Sequence, residues 1–166
     1  GMPYSQATKT IHNYFFVKAA EKLKDGGLLA FITSRGVANA PNNRFVRDYL
    51  VHHCNMITAL RLPDTLFIQT GGIEVGSDLF IFQKNSHKSD LTTRERMFLD
   101  VAKEMNLHGN VMTEPSNKVF TLPKTTLATD SSILMNQYGK YVRQYFWKDD
   151  EAKMKAQLSS LLQSDF

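Results

Sequence analysis

The sequence predicts an α/β fold over residues 1–85 and an α+β carboxyl-terminal extension over residues 86–166. Helical and strand patterns alternate as far as residue 83, which is typical of a sheet with helices packed on it. Beyond that point residues 85–93 are polar, and residues 106–132 hold few periodic apolar positions. The change in pattern places the boundary between the two parts near residue 85.

One hydrophobic core is expected, because 166 residues with 42% hydrophobic content are close to the usual size of a single domain. This argues against two complete domains. Gly1 before Met2 is typical of the scar left by a cleaved purification tag.

Residues 5–24 are predicted to form a helix that Ser5 caps and that the run Asp25-Gly26-Gly27 ends. The next segment, residues 28–33, is apolar at consecutive positions, which predicts a strand covered on both faces in a parallel sheet. The apolar residues of the helix recur at three- and four-residue steps: Ala7, Ile11, Tyr14, Phe15, Ala19 and Leu23.

A short second helix follows the polar loop 39–43, and residues 56–62 and 79–82 are the next strands. The connection between these strands is short and contains Gly71, Gly72 and Gly76, so the last strand is predicted to close the sheet antiparallel. The helix is predicted to carry Phe45, Val46, Tyr49 and Leu50 on its apolar face and Arg44, Arg47 and Asp48 on its polar face.

In the second half, a helix is predicted over residues 93–105, one or two strands within residues 138–147, and a terminal helix over residues 150–163. The stripe of the terminal helix consists of Met154, Leu158, Leu161 and Leu162.

The formal charge is +4 and the isoelectric point is near 9.2, which permits contact with an anionic polymer without requiring it. Residues 1–85 carry 9 basic and 6 acidic side chains, so most of the excess lies there. The single Cys54 excludes an internal disulfide and a cysteine-rich zinc site, which fits a cytoplasmic protein. The apolar stretches are far shorter than the roughly 20 residues that span a bilayer.

Residue patterns for a metal, a phosphate or a nucleophile are weak. His52 and His53 are adjacent, point in different directions on a helix, and are more simply explained by contacts with helix-end carbonyls. No Gly-x-Ser-x-Gly motif is present, and the glycines near residue 72 match no phosphate-binding loop. We therefore predict no metal ligands, catalytic residues or cofactor-binding residues.

The loop after the first strand is the better candidate site, because ligands of open α/β sheets bind beyond the carboxyl ends of strands. Residues 70–74 are a lesser candidate, and a solvated loop with an asparagine cap is the alternative interpretation. The loop residues predicted to lie near DNA phosphates or base edges are Arg35, Asn39, Asn42, Asn43 and Arg44.

Several runs resemble the later half of N6-adenine DNA methyltransferase domains, above all those in methylase and helicase fusion proteins of mobile elements. The likeness covers residues 6–84 well and is thinner beyond them. The runs are Ile11-His12-Asn13-Tyr14-Phe15-Phe16-Val17-Lys18-Ala19, Gly26-Gly27-Leu28-Leu29-Ala30-Phe31-Ile32-Thr33-Ser34-Arg35-Gly36-Val37, Ala59-Leu60-Arg61-Leu62-Pro63 and Gly72-Ile73-Glu74-Val75-Gly76-Ser77-Asp78.

The resemblance implies a Rossmann-like methyltransferase sheet, S-adenosylmethionine as methyl donor, and a flipped adenine in DNA as acceptor. Members of the family hold the donor with a glycine-rich loop and the adenine with an Asn/Asp-Pro-Pro-Tyr/Phe motif. Neither motif is present here, since Met2-Pro3-Tyr4 lacks the carboxamide and one proline. The expectation is a partial sheet built from the later strands, bound to no cofactor and inactive alone.

A partial sheet would leave residues 28–33 without their usual neighbouring strand. An unpaired apolar edge is a template for pairing. We therefore expect self-association, docking of an upstream methyltransferase half, or cover by the carboxyl-terminal half. The alternative function is a non-enzymatic DNA-binding or interaction module derived from the same fold.

Overall fold

The computed structural model describes residues 11–64, 76–105, 108–109 and 111–166. The predicted cap Ser5, the first turns of its helix, Gly71, Gly72 and residues 70–74 lie outside these ranges. Every helix in the described ranges is too short or too polar to cross a bilayer. The elements are α1 (Ile11–Lys22), β1 (Leu28–Ser34), α2 (Gly36–Asn39), α3 (Arg44–His53), β2 (Cys54–Arg61), β3 (Ser77–Lys84), α4 (Thr93–Phe98), β4 (Val101–Ala102), β5 (Ser116–Asn117), β6 (Asp130–Met135), β7 (Tyr141–Phe146) and α5 (Glu151–Asp165).

The main sheet has the order β1-β3-β2, and β3 runs antiparallel to both neighbours. Phe80 of β3 lies between Phe31 of β1 and Ala59 of β2. β1 and β2 therefore point the same way, with the closing strand inserted between them. This confirms the predicted α/β class with a partial sheet and the predicted antiparallel closing strand.

The prediction that β1 is covered on both faces in a parallel sheet is wrong. Leu29 and Phe31 pack inward, whereas Leu28 and Ile32 are 52% and 56% exposed. β1 is the end strand of its sheet, and no strand in the described residues pairs along its other side. The apolar run thus belongs to an edge strand that is packed on one face only.

Phenylalanine rings form the centre of the main core, between the sheet and helices α1, α3 and α4. Phe16 stacks on Phe31 with ring centroids 4.3 Å apart, and Phe98 lies 5.3 Å from Phe80 and 5.9 Å from Phe82. Such ring pairs add about 1 kcal/mol each beyond the burial of their area. Because Phe98 belongs to α4, residues beyond 85 share this core.

A second apolar cluster lies on the opposite face of the sheet, under α5. Leu60 and Leu79 alternate with side chains of the main core and meet Leu161 of the helix. The only tryptophan, Trp147, packs on this cluster and donates from its indole nitrogen to the Asp150 carbonyl at 2.9 Å. The predicted terminal helix is confirmed, and its apolar stripe holds it on the sheet.

In the second half, one predicted helix is shorter than expected and one strand was not predicted. The helix predicted over residues 93–105 ends at Phe98, because the amides of Leu99 and Asp100 turn back to Arg96 and Met97 and the chain then pairs as β4 with β5. Residues 130–135, for which the sequence predicts no element, form β6, which pairs antiparallel with β7. β7 itself lies within the predicted segment 138–147.

Arg47 is also misplaced by the sequence pattern, since it is buried rather than on the polar face of α3. Its guanidinium donates to the carbonyls of Val37 and Ala40 at 3.0 and 2.9 Å and to Leu99 at 3.4 Å. Loss of hydration lowers the pKa of Arg47 to about 10. These bonds hold α2 and the loop that follows it against α3.

Glu95 caps α4 from inside the protein. Its carboxylate accepts from Lys88 Nζ at 2.6 Å, from the Thr92 amide at 2.8 Å and from the Met56 amide at 2.9 Å. Burial raises the pKa of Glu95, but these hydrogen bonds outweigh burial and hold its pKa below the ordinary value. Ionised Glu95 therefore stabilises the fold.

The Glu95→Gln substitution is expected to lower the free energy of unfolding by about 3 kcal/mol at neutral pH, because Lys88 keeps its buried charge without a carboxylate. A lowered folded-state pKa stabilises above the unfolded-state pKa of about 4.3 and loses that contribution as pH falls through the folded-state value. The difference between wild type and variant should therefore shrink below about pH 4 in urea titrations.

The matched control is Glu151→Gln, which removes an exposed carboxylate of α5 that pairs only with Lys155. The effect of Glu151→Gln on the free energy of unfolding should be near zero both at neutral pH and below about pH 4. A Glu95→Gln penalty that does not depend on pH would contradict the assigned role.

Candidate functional site

A buried ion pair joins β2 to β3 at the carboxyl end of β2. The antiparallel register places Arg61 opposite Asp78, and the two residues are only 1% and 0% exposed. Arg61 Nε donates to Asp78 Oδ1 at 2.9 Å, and Nη2 donates to Oδ2 at 3.1 Å. The bidentate geometry fixes the guanidinium in one plane.

Arg61 reaches two further elements from this position. It donates to Asn39 Oδ1 and to Ser116 Oγ, each at 2.9 Å, and lies 4.0 Å from the centre of the Phe120 ring. Burial lowers the pKa of Arg61, but Asp78 more than compensates and the pKa is raised. The charge is therefore permanent, and α2, β2, β3 and β5 are joined through it.

Asn39, one of the predicted DNA-binding residues, is oriented by this network. Its Oδ1 accepts from Arg61 and from the Asn117 amide at 2.9 Å, which determines which end of the carboxamide is oxygen. The Nδ2 donors of Asn39 then have no partner among the described residues, and Asn39 lines the cavity described below. A ligand acceptor in the cavity could meet them.

A second ion pair lies at the end of β1. Arg35 donates to Asp64 at 2.6 and 3.1 Å and to the Leu62 carbonyl at 3.2 Å. Asp64 also pairs with β7, since its Oδ1 accepts from the Tyr145 amide at 2.8 Å and its own amide donates to the Tyr145 carbonyl at 2.9 Å. The guanidinium packs so closely on Gly76 that a Cβ there would lie 2.5 Å from it.

A cavity of about 960 Å³ separates the strand ends from the β6–β7 hairpin. Arg35, Asn39 and Arg61 line it, together with apolar and polar residues of the hairpin. The carboxylates on its wall are paired: Asp64 with Arg35, Glu104 with Arg143, and Glu114 with Lys140 at 3.9 Å. The cavity is amphipathic and close to neutral.

The structure brings only part of the predicted DNA-binding set into this cavity. Arg35 and Asn39 line it, whereas the other three residues do not. Asn43 is held by Asn13 at 2.8 Å and donates to the Gly36 carbonyl at 2.9 Å. Asn42 is exposed, and Arg44 is exposed in a 2.8 Å ion pair with Asp100.

Sequence reasoning missed the partners that build the site. Arg61 and Asp78 had a signal, because each is a charged residue at the end of an apolar strand and antiparallel pairing brings such ends together. Asp64 and Tyr145 had none, since they are 81 residues apart and Asp64 lies in the turn after β2 rather than in a strand.

The histidine pair and its neighbouring cysteine have structural contacts of their own. His52 Nδ1 lies 2.7 Å from the Asp48 carbonyl, as the sequence predicted, and His53 stacks on Tyr49 at 4.2 Å. Cys54 is buried, and burial raises the pKa of its thiol. Among the described residues no three metal-ligating side chains come together.

The Gly76→Ala substitution is expected to lower the free energy of unfolding by about 2 kcal/mol, because the new methyl group displaces Arg35 from Asp64. In an Arg35→Ala background the same substitution should cost less than about 0.5 kcal/mol, since the clash is gone. Gly36→Ala is the control, because its nearest contact would be 3.9 Å away. Equal costs of Gly76→Ala in both backgrounds, measured by urea unfolding, would refute the proposed contact.

The family profile described as N-6 DNA Methylase matches residues 3–150. Searches of curated proteins and of solved structures give no match. The profile match extends from before α1 to the end of the hairpin and includes both ion pairs and the cavity. It covers far more than half of the 166 residues, and the chain therefore belongs to the N-6 DNA methylase family.

Proposed function

We propose that this chain forms the later, sheet-closing half of an S-adenosylmethionine-dependent N6-adenine DNA methyltransferase domain and transfers no methyl group by itself. The observation that carries the proposal is the outer side of β1, where Leu28 and Ile32 are exposed and along which no strand of the described residues pairs. Its sequence counterpart is the lack of both the glycine-rich donor loop and the Asn/Asp-Pro-Pro-Tyr/Phe motif.

The outer side of β1 has the properties of a surface that another polypeptide covers. Residues 28–34 contain no charged residue and no proline, which are the usual protections of a free sheet edge. Covering Leu28 and Ile32 would stabilise a complex by about 2 kcal/mol for each side chain buried in full. The occupant that we propose is the upstream half of the methyltransferase domain. When the chain is alone, a second copy covers β1 instead.

The described residues do not fit the methyl donor. S-adenosylmethionine carries a cationic sulfonium and ribose hydroxyls, which favour an available carboxylate. Asp64, Glu104 and Glu114 already face Arg35, Arg143 and Lys140. The donor would supply an electrophilic methyl group that must lie in line with the adenine nitrogen. The groups that achieve this alignment belong, in our proposal, to the upstream half.

For DNA, the loop from Arg35 to Arg44 divides into exposed and supporting residues. Arg44 is 58% exposed at its side chain, and surface ion pairs such as that with Asp100 contribute little, so a phosphate can replace the carboxylate. Asn42 is exposed beside it. Arg35 and Asn43 hold the loop in position through their internal bonds, and Asn39 directs its Nδ2 donors to a nucleotide acceptor.

The second candidate function is a non-enzymatic DNA-binding module. The paired state of every carboxylate on the cavity wall favours it, because such a site binds no cationic donor but still tolerates nucleic acid. The two functions differ in what happens when the upstream half is supplied: only the first gives methyl transfer.

The purified chain is expected to leave adenine unlabelled when incubated with DNA and radioactive S-adenosylmethionine. Calorimetry should give no heat with the donor, and DNA affinity should fall as salt rises. The codons before Met2 would then be read, and a continuous upstream frame that encodes both motifs would be coexpressed with the chain. Labelling should appear in that complex. Labelling by the chain alone would refute the proposal.

Ile32→Lys is expected to weaken association through β1 by about tenfold or more, because a lysine at an edge strand opposes pairing. Stability should change little, since Ile32 is more than half exposed. Sedimentation velocity measures the association, and Phe166→Lys, at an exposed apolar residue directly after α5, is the control. A wild-type monomer whose β1 amides exchange rapidly with solvent would contradict the proposed role of this edge.

A further inference from the structure

Three large apolar side chains of the β6–β7 hairpin are exposed and line the cavity. Tyr138 at its tip is 77% exposed. A cluster of this kind in a cavity marks a binding surface more often than chance exposure does. The other two are Leu134 and Met135.

The tip of the hairpin holds Tyr138 in a defined backbone position. Asn136 Oδ1 accepts from the amides of Tyr138 and Lys140 at 2.9 and 3.0 Å, and the Gly139 amide donates to the Asn136 carbonyl at 3.1 Å. Gly139 has φ of +75°, which favours glycine over other residues. The aromatic ring is therefore presented by an ordered turn.

The base of the hairpin is fixed to the strand ends. The Tyr145 amide donates to Asp64 Oδ1, and the Asp64 amide donates to the Tyr145 carbonyl. Arg143 forms an ion pair with Glu104 and donates to Ser131 Oγ at 2.9 Å. The hairpin residues that line the cavity are thus held in one arrangement with Asn39, which lines the same cavity and whose Nδ2 donors have no partner among the described residues.

This arrangement fits a ligand with a flat apolar face and a polar edge rich in acceptors. A nucleotide has both, and aromatic stacking is the usual way in which proteins bind unpaired bases. The base must be unpaired, because a continuous duplex offers no free face to one ring. The neutralised carboxylates remove the repulsion that a phosphate would otherwise meet.

We propose that the cavity binds an unpaired nucleotide of DNA, with its base stacked on Tyr138 and an acceptor meeting Asn39 Nδ2. The proposal rests on the proposed function, since it assigns to this half of the domain the strand that lies beside the target base. It adds a subsite that the methylation motifs themselves do not supply.

The test uses fluorescein-labelled duplexes with and without one unpaired adenine, titrated with the whole chain at fixed salt. Tyr138→Ala is expected to weaken binding of the unpaired-base duplex about tenfold and to leave the continuous duplex nearly unchanged. Tyr138→Phe should restore binding, because it keeps the ring. A 2-aminopurine at the unpaired position should lose fluorescence on binding to wild type and not to Tyr138→Ala.

A second variant examines Asn39 without breaking its bonds to Arg61 and Asn117. Asn39→Asp keeps an oxygen for Arg61 and Asn117 and replaces the Nδ2 donors by an acceptor, so binding should weaken while the melting temperature holds. Phe15→Ala is the matched control, because Phe15 is 63% exposed on α1 and outside the cavity. It should bind as wild type does.

Three results would overturn the inference: wild-type affinity of Tyr138→Ala for the unpaired-base duplex, equal losses for both duplexes, or displacement by an upstream polypeptide without any nucleotide binding. Failure of the proposed function is distinguishable. Methyl transfer by the coexpressed complex with no dependence on Tyr138 would refute only this subsite. Tyr138-dependent binding in a complex that never labels adenine would refute only the enzymatic role.

Discussion

The buried guanidinium of Arg61 determines where the segments around the cavity lie. A buried ion pair is weak evidence for stability, since apolar residues of the same volume often stabilise a fold as much. Its value here is positional, because Arg61 contacts Asp78, Asn39 and Ser116 in three other elements. Leaving Arg61 without Asp78 would cost about 3 to 5 kcal/mol. Elements far apart in sequence are thereby held in one arrangement around the cavity.

The two surfaces that the fold leaves open differ in chemistry. The outer side of β1 is apolar, and its edge has no strand partner in the described part of the chain, which suits another polypeptide. The cavity under the hairpin combines an apolar wall with donors and paired charges, which suits a nucleotide. Both surfaces underlie our proposal that this part of a DNA methylase domain completes a sheet and contacts DNA, while other residues carry out the chemistry.

Local patterns predicted the three sheet strands and the terminal helix, because runs of apolar residues with helical or strand spacing report burial directly. The exposed face of β1 was not predictable, since the same apolar run suits a strand with one or two covered faces. β6 was missed because Asp130, Ser131 and Ser132 open a strand that is only partly buried. Arg47 shares the helical face of Leu50 and Val51, and attention to spacing rather than charge would have predicted its burial. The contact of Asp64 with Tyr145 depends on tertiary structure alone.

Trp147 gives the molecule an intrinsic optical probe of one region. Its indole lies on the small cluster between α5 and the sheet, whereas the main core contains phenylalanines and no tryptophan. Tryptophan fluorescence, excited selectively at the red edge of the absorption band, therefore reports on the docking of the last helix alone. Backbone circular dichroism reports on the whole fold. Divergence of the two signals during heating would reveal detachment of that helix as a separate step.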